Sequence, residues 1–367
     1  MSEWREYVLE DIIDKFIDYR GKTPQKTSSG IPLVTAKIVK DGKILEPNEY
    51  IAEEDYNDWM TRGLPQVDDI VLTTEAPLGE IALIKNEKIA LAQRIITLRG
   101  KKNYVHNPFL KYYFQSSQGQ YELNSRASGT TVFGIKAAVL RKIPVTLPPL
   151  PEQKAIAEVL SSLDDKIDLL RRQNKTLEQM AETLFRRWFV EEAGEDWGEG
   201  VLGGLVEVKY GKDHKKLQDG EIPVYGSGGV MRYAEKSLYD DESVLIPRKG
   251  TLNNVVYIDE PFWTVDTMFY TVMKQPNIAK FIHQFMKVKD LASMNVGSAV
   301  PSMTTQVLNS MPLSIPSDEE FEYFEHAVIP YYQKTKENQK QIRTLEKLRD
   351  TLLPKLMNGE VRIASNG

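Results

Sequence analysis

The sequence predicts an α+β protein in which two structurally similar globular bodies are separated by two long antiparallel coiled-coil helices, the halves being related by a pseudo-twofold. Three observations predict it. The hexapeptide Ile143-Pro144-Val145-Thr146-Leu147-Pro148 returns as Met311-Pro312-Leu313-Ser314-Ile315-Pro316, and Thr176-Leu177-Glu178 returns as Thr344-Leu345-Glu346, both at an offset of 168 residues. A helical stretch with a heptad seam follows each hexapeptide. A polar, glycine-punctuated stretch precedes each, so one unit of body, proline hinge and helix occurs twice.

Within the bodies, Ile70-Val71-Leu72, Ile81-Ala82-Leu83-Ile84, Ile95-Ile96-Thr97-Leu98, Val244-Leu245-Ile246 and Val255-Val256-Tyr257-Ile258 read as strands between turn signals. Pro108 to Gln118 and Asn277 to Lys289 read as helices, and each body is expected to carry a small, strongly bent sheet. The repeat reaches into the bodies with a drifting offset. Trp4 and Leu9 match Trp197 and Leu202 at 193, Ile31-Pro32-Leu33 matches Ile222-Pro223-Val224 at 191, and Asp69-Ile70-Val71-Leu72 matches Ser243-Val244-Leu245-Ile246 at 174. Gly129, Val132 and Leu140 then match Gly297, Val300 and Leu308 at 168. Anchors are kept while connecting loops change, and loops carry recognition. Two bodies with one frame and different loops suit a two-part ligand.

The first helix shows Ile156, Leu160, Leu163, Ile167, Leu170, Asn174, Leu177, Ala181, Leu184 and Trp188 in alternating steps of four and three, a heptad seam. The shift of 168 gives Phe324, Val328, Tyr331, Thr335, Asn338, Ile342, Leu345, Arg349, Leu352 and Leu356. Antiparallel partners about a pseudo-dyad have residue numbers with a constant sum, and a sum of 512 sets Asn174 against Asn338. It also pairs Leu170 with Ile342, Ile167 with Leu345, Leu160 with Leu352, Leu184 with Val328 and Trp188 with Phe324. One match is poor, Leu163 against Arg349. Proline in Pro148-Pro149-Leu150-Pro151 is tolerated because the first turn of a helix has unused N–H groups, whereas Pro354 is expected to kink or end the second helix.

Composition narrows the function. The chain has 367 residues, more than one core usually serves, no cysteine and four histidines spread along the sequence. Disulfides, thiolate metal sites and cysteine nucleophiles are excluded, and a histidine metal cluster or histidine-dependent triad has little support. No run approaches the ~20 apolar residues that cross a bilayer, and Met1-Ser2-Glu3-Trp4-Arg5-Glu6 has no signal-peptide core, so a cytoplasmic location is expected. The net charge is −5, and residues 151–199 alone carry −5, so both bodies are close to neutral. Any nucleic-acid face must arise by local segregation of charge.

Such segregation is visible. From Leu123 to Pro151 there is no acidic residue, while Arg126, Lys136, Arg141 and Lys142 stand beside Ser128-Gly129-Thr130-Thr131. Hydroxyls, loop N–H groups and cations suit phosphate oxygens, and a solvated loop is the bland alternative. Lys22, Thr23, Lys37 and Arg94 are further candidates in the first body. In the second, Lys209, Lys212, Lys215 and Lys216 crowd one segment, and Arg248-Lys249-Gly250-Thr251-Leu252-Asn253-Asn254 offers groups able to read guanine or adenine edges. The counterpart Thr74-Glu75-Ala76-Pro77-Leu78-Gly79 is not basic, which predicts unlike half-sites. Gly226-Ser227-Gly228-Gly229 lacks the lysine of a phosphate-binding loop and reads as a turn. Glu152-Gln153-Lys154 falls in a helix start and is rejected as catalytic. Asp68-Asp69 and Asp164-Asp165 read as solvated surface.

Leu147-Pro148-Pro149-Leu150-Pro151-Glu152-Gln153-Lys154-Ala155-Ile156-Ala157, followed by Leu184-Phe185-Arg186-Arg187-Trp188-Phe189, resembles the first conserved helix of the type I restriction-modification specificity subunits. Leu345-Glu346-Lys347-Leu348-Arg349-Asp350-Thr351-Leu352-Leu353-Pro354-Lys355-Leu356-Met357-Asn358-Gly359-Glu360 resembles the end of the second. The resemblance divides the chain into a target recognition domain (1–147), a conserved helix (148–192), a second recognition domain (193–315) and a second helix with its tail (316–367). One departure is Asp318-Glu319-Glu320-Phe321-Glu322 in place of the Pro-Glu-Gln start. The resemblance implies a noncatalytic adaptor that reads an asymmetric, split sequence on double-stranded DNA. It also implies two modification (methyltransferase) subunits and restriction/translocase subunits as partners, with S-adenosylmethionine, ATP and Mg on those partners and no cofactor, metal or membrane contact for this chain. A pseudo-dimeric scaffold or nucleic-acid-binding protein without sequence preference is the alternative.

Overall fold

The computed structural model describes residues 4–129, 132–195, 197–294 and 302–363. The chain forms two compact units, Met1–Leu169 with Gln341–Gly367, and Leu170–Lys340. Each unit therefore contains one body and a segment of both long helices.

In the first unit, Arg5–Val8 pairs antiparallel with the hinge strand Pro144–Leu147. A four-stranded antiparallel sheet runs in the order Ile13–Asp18, Ile95–Gly100, Ile70–Thr74, Leu78–Leu83. Ile70–Thr74 is buried along its whole length because both faces of this sheet are covered. Ile70 and Leu72 pack with Phe109, Leu110, Tyr113 and Phe114 of the helix Asn107–Gln115. Val71 turns the other way, as the period of two requires, into a core with Leu33, Val34 and Leu91. Those residues belong to a three-stranded sheet, Tyr50–Ile51, Ile31–Val34 and Ala90–Leu91, whose last pair is parallel. Each body thus carries separate sheets where one bent sheet was expected. A central strand apolar on both sides needs a second layer, which the three-stranded sheet supplies.

The second unit repeats this plan with Gly198–Val201 on Pro312–Ile315, then Val206–Tyr210, Met268–Met273, Ser243–Pro247 and Val256–Ile258 in the four-stranded sheet. Gly229–Ala234, Ile222–Gly226 and Trp263–Thr264 make the three-stranded one. The repeat extends to single hydrogen bonds. Leu9 N donates to Ile143 O at 2.9 Å, and Leu202 N to Met311 O at 2.9 Å. Lys101 N donates to Ile12 O at 2.8 Å, and Lys274 N to Leu205 O at 2.9 Å. The first pair obeys the sequence offsets of 193 and 168, and the second pairs 193 with 173, one residue from the neighbouring 174, so the drifting repeat is a true structural repeat. The anchors Gly297 and Val300 lie outside the described residues.

The long helices span Leu150–Arg186, continued by a π-helical turn at Arg187–Glu191, and Asp318–Met357. Within the first unit Ile156 and Leu160 share a core with Leu352 and Leu356. Within the second, Asn338 Nδ2 donates to Asn174 Oδ1 at 2.8 Å, and the Trp188 ring lies edge-on to Phe324, 5.8 Å between centroids. In both units the numbers ascend on one helix as they descend on the other, so the segments run antiparallel. Ile167, Leu170 and Val328 are buried, and Leu184, Ile342 and Leu345 half-buried. The poor match at Arg349 is resolved locally. Its guanidinium leaves the seam and donates from Nη1 to Asp164 Oδ1 at 3.1 Å.

Three helix boundaries differ from expectation. The second helix continues past Pro354 to Met357, because only its final turn lies beyond the proline and Leu356 and Met357 are anchored in the core. The helix expected over Pro108 to Gln118 breaks at Ser116, whose Oγ accepts from Gly119 N at 3.3 Å and starts a new helix, Ser117–Ser125. The one expected over Asn277 to Lys289 is shorter at both ends, Ala279–Lys287.

Candidate nucleic-acid interface

In the first body the turn between the strands Ile70–Thr74 and Leu78–Leu83 is held by the segment that leads to the hinge. Ile135 N donates to Thr74 O at 2.9 Å, and Glu75 bridges Gly134. Ser128 and Gly134 exchange backbone hydrogen bonds of 2.9 and 3.1 Å, closing a loop neck. Ser128 and Lys136 are exposed beside it, and Thr130 lies outside the described residues. Arg94, held at φ 71°, pairs with Glu75 at 3.0 Å, and Arg126 pairs with Glu122 on its own helix. Lys22 and Thr23 are exposed in the loop after Ile13–Asp18, and Lys37 on the short turn Ala36–Ile38.

The second body repeats the contact of the strand end with the hinge segment, at the base of the loop, using other residues. Met303 N donates to Arg248 O at 2.9 Å, and Lys249 bridges Ser302. These are the counterparts of Ile135 with Thr74 and of Glu75 with Gly134, so an acidic position in one body is a lysine in the other. Arg248 donates from Nη1 to Asp266 O at 3.0 Å, and its guanidinium lies 5.5 Å from the Tyr210 ring centre. Lys212, Lys215 and Lys216 are exposed after the strand Val206–Tyr210.

The side-chain partners sort the candidates. Among the described residues no ion pair engages Lys22, Lys37, Lys136, Lys212, Lys215, Lys216 or Lys249, which leaves their ammonium groups for phosphates. The arginines are tied to acids or carbonyls. Both asparagines serve the loop: Asn253 Oδ1 accepts from Ala292 N at 3.0 Å and its Nδ2 donates to Asp290 at 3.3 Å, while Asn254 Nδ2 donates to Ser227 O at 2.8 Å. Two acids read as solvated surface are structural instead. Asp69 is buried and takes a two-pronged contact from Arg99 at 2.8 and 2.6 Å, and Asp164 is the hub of a polar cluster.

The family model described as the type I restriction modification DNA specificity domain matches residues 1–179 and again 194–355. The chain belongs to this family. Its members are the noncatalytic DNA-recognition subunits of type I restriction-modification systems, so the chain is a recognition subunit and not an enzyme. The MjaIX specificity subunit of Methanocaldococcus jannaschii is 25% identical over 342 residues, covering 80% of this chain and 78% of the relative. The MjaVIII specificity subunit of the same organism is 23% identical over 419 residues, covering 99% and 94%. The crystal structure of the type I system S subunit from M. genitalium shares the fold, with a TM-score of 0.63 at 18% identity over 97% of this chain and 96% of that one. No described helix of this specificity subunit is long and apolar enough to cross a membrane.

The motif that carries the family likeness has a mechanical role. Gln153 is buried: its Oε1 accepts from His106 N at 2.9 Å, and its Nε2 donates to Tyr104 O and Pro148 O, both at 2.9 Å. Glu152 accepts from the Trp4 indole at 3.4 Å. In the second half Glu320 stands at the Glu152 position and accepts from the Trp197 indole at 3.0 Å. Its other oxygen accepts from Ser317 N at 2.7 Å, completing a capping box. The departure noted at the second hinge is therefore confined to its flanks and to Gln153, replaced by buried Phe321, whose ring meets Phe281 at 4.9 Å.

Sequence reasoning missed the bolt that fixes each body to its helix. In the first unit Asp164 accepts from Tyr112 Oη at 2.6 Å and from Lys111 Nζ at 3.2 Å. Burial alone would raise the Asp164 pKa, but the Lys111 charge and these donors outweigh it and hold the carboxylate ionised. At the matching positions of the second unit, Tyr332 replaces Asp164. Its hydroxyl shares a hydrogen bond with His283 Nδ1 at 2.6 Å and accepts from Gln284 Nε2 at 2.8 Å. Burial pushes the His283 pKa down to about 3, which keeps the ring neutral. An ionic bolt in one half is a neutral one in the other. Phe185 was also missed. It lies beside the seam rather than on it, and is buried against Phe281 and Phe324 at 5.4 and 6.1 Å, because this helix must cover a body as well as a partner helix.

Proposed function

We propose that this specificity subunit reads a bipartite, asymmetric sequence on double-stranded DNA, one half with each body, while its long helices dock two modification subunits and, through them, restriction/translocase subunits. The observation that carries the reading is the pair of matched loop necks. Identical backbone hydrogen bonds present Glu75 in one body and Lys249 in the other, so one frame displays two chemistries. Unpaired lysines on each body, Lys136 and Lys249 at the loop bases among them, supply phosphate contacts that set position, and the differing loops supply sequence discrimination. Exposed apolar side chains on the helices, Leu169, Met180 and Leu348, suit contact with partner proteins. The helix length sets the spacing of the half-sites: 37 residues at ~1.5 Å rise each span roughly 55 Å. Adenine methylation from S-adenosylmethionine and ATP- and Mg-dependent cleavage belong to the partners, acting on cytoplasmic DNA.

Methyl transfer tests this reading. The purified chain alone is expected to transfer no methyl group, and addition of the modification subunits is expected to produce methylation at one split sequence. Methylation by the isolated chain would overturn it. So would tight, steeply salt-dependent DNA binding by the assembled complex with no preference among duplexes.

A further inference from the structure

The loop neck of the first body carries two side chains that the phosphate contacts leave unexplained. Val132 and Phe133 are 50% and 62% exposed, next to the Ser128 to Gly134 closure. A folded chain gains nothing by holding a phenylalanine in water, and here the backbone beside it is closely packed. A Cβ at Gly129, φ 137°, would fall 2.0 Å from Val132 O, and one at Gly134 would fall 2.9 Å from Thr74 O. The described ends of the loop therefore lie close to one another and to the end of the strand Ile70–Thr74. Beside it stand exposed Lys136 and Ser128, while Arg94 pairs with Glu75 at 3.0 Å.

An apolar pair beside an unpaired lysine and a free-standing hydroxyl fits a duplex better than it fits a protein partner. Lys136 and Ser128 suit phosphate oxygens, and the apolar pair suits the faces of stacked bases. We propose that Phe133, with Val132 beside it, is a wedge that enters a base step within the half-site read by the first body, unstacks it and so adds to discrimination by deformability. This rests on the DNA-reading function above. The second body carries Pro301 at the position matching Phe133, which lies outside the described residues, and the proposal is confined to the first body.

The test uses the assembled complex with its modification subunits. Methylation mapping first identifies the split sequence, and duplexes of that sequence are then made with 2-aminopurine at one position at a time. The adenines flipped out for methylation brighten 2-aminopurine in every complex. Beyond them, wild type and Phe133→Leu, which keeps an apolar wedge, are expected to brighten one further step of one half-site. Phe133→Ala is expected to brighten the flipped adenines alone and to bind about tenfold more weakly, the scale of one lost base contact with an aromatic ring. The wedge is overturned if bound wild type brightens no position beyond the flipped adenines, if Phe133→Ala brightens the further step equally, or if Phe133→Ala instead sheds the modification subunits on size exclusion. A wild-type complex that methylates no split sequence contradicts the DNA-reading function itself, before any fluorescence is measured.

Discussion

At the scale of residues, the polar groups divide into those that hold the protein together and those left for a ligand. Lys249 and Lys136 belong to the second class, and Asn253, Asn254 and Asp69 to the first. His283 is the sharpest member of the first class. Its folded pKa is depressed to about 3 by burial, while the unfolded side chain titrates near 6.5. A proton therefore favours the unfolded chain. The stability contributed by neutral His283 is complete above pH 6.5 and is lost as pH falls from there toward 3. Unfolding by denaturant is expected to show about 2 kcal/mol less stability at pH 5 than at pH 7 from this group. His283→Gln, which still hydrogen-bonds Tyr332, is expected to lose that part of the pH dependence. An unchanged pH profile in the variant would show that His283 is not held neutral.

At the scale of elements, the seam asparagines set the register of the helices. Asn338 is fully buried and its amide donates to Asn174. Asn338→Leu alone is expected to cost about 1–3 kcal/mol by leaving Asn174 facing a leucine, and Asn174→Leu with Asn338→Leu is expected to recover most of it. Equal costs for the single and double variants in thermal unfolding would refute a direct pairing. This contact was legible in the sequence because an amide interrupts an otherwise apolar heptad at the same place in both halves. The strands Ile70–Thr74 and Ser243–Pro247 were legible for a similar reason, as apolar runs bounded by turns. The Lys111–Asp164 bolt and its His283–Tyr332 counterpart were not, since the partners lie about fifty residues apart and the repeat kept the positions while exchanging the chemistry. The sequence identified the basic loops but not their partners. Whether Asn253 faces a base or Asp290 depends on folding that its neighbours do not encode.

At the scale of the whole molecule, the chain is one structural sentence used twice with different loops. The hydrogen bonds at the hinge strands, the indole contacts of Trp4 and Trp197 and the loop necks all recur at the offsets of the sequence repeat. What differs is what the loops display, Glu75 against Lys249. Duplication of the frame with divergence of the loops is what two independent readers require. The central claim is that independence. It is tested most directly by replacing residues 193–315 with the corresponding body of a relative and mapping methylation by the assembled complex. The account predicts a motif whose one half is unchanged and whose other half is new. A motif altered in both halves, or one continuous sequence in place of a split one, would contradict it.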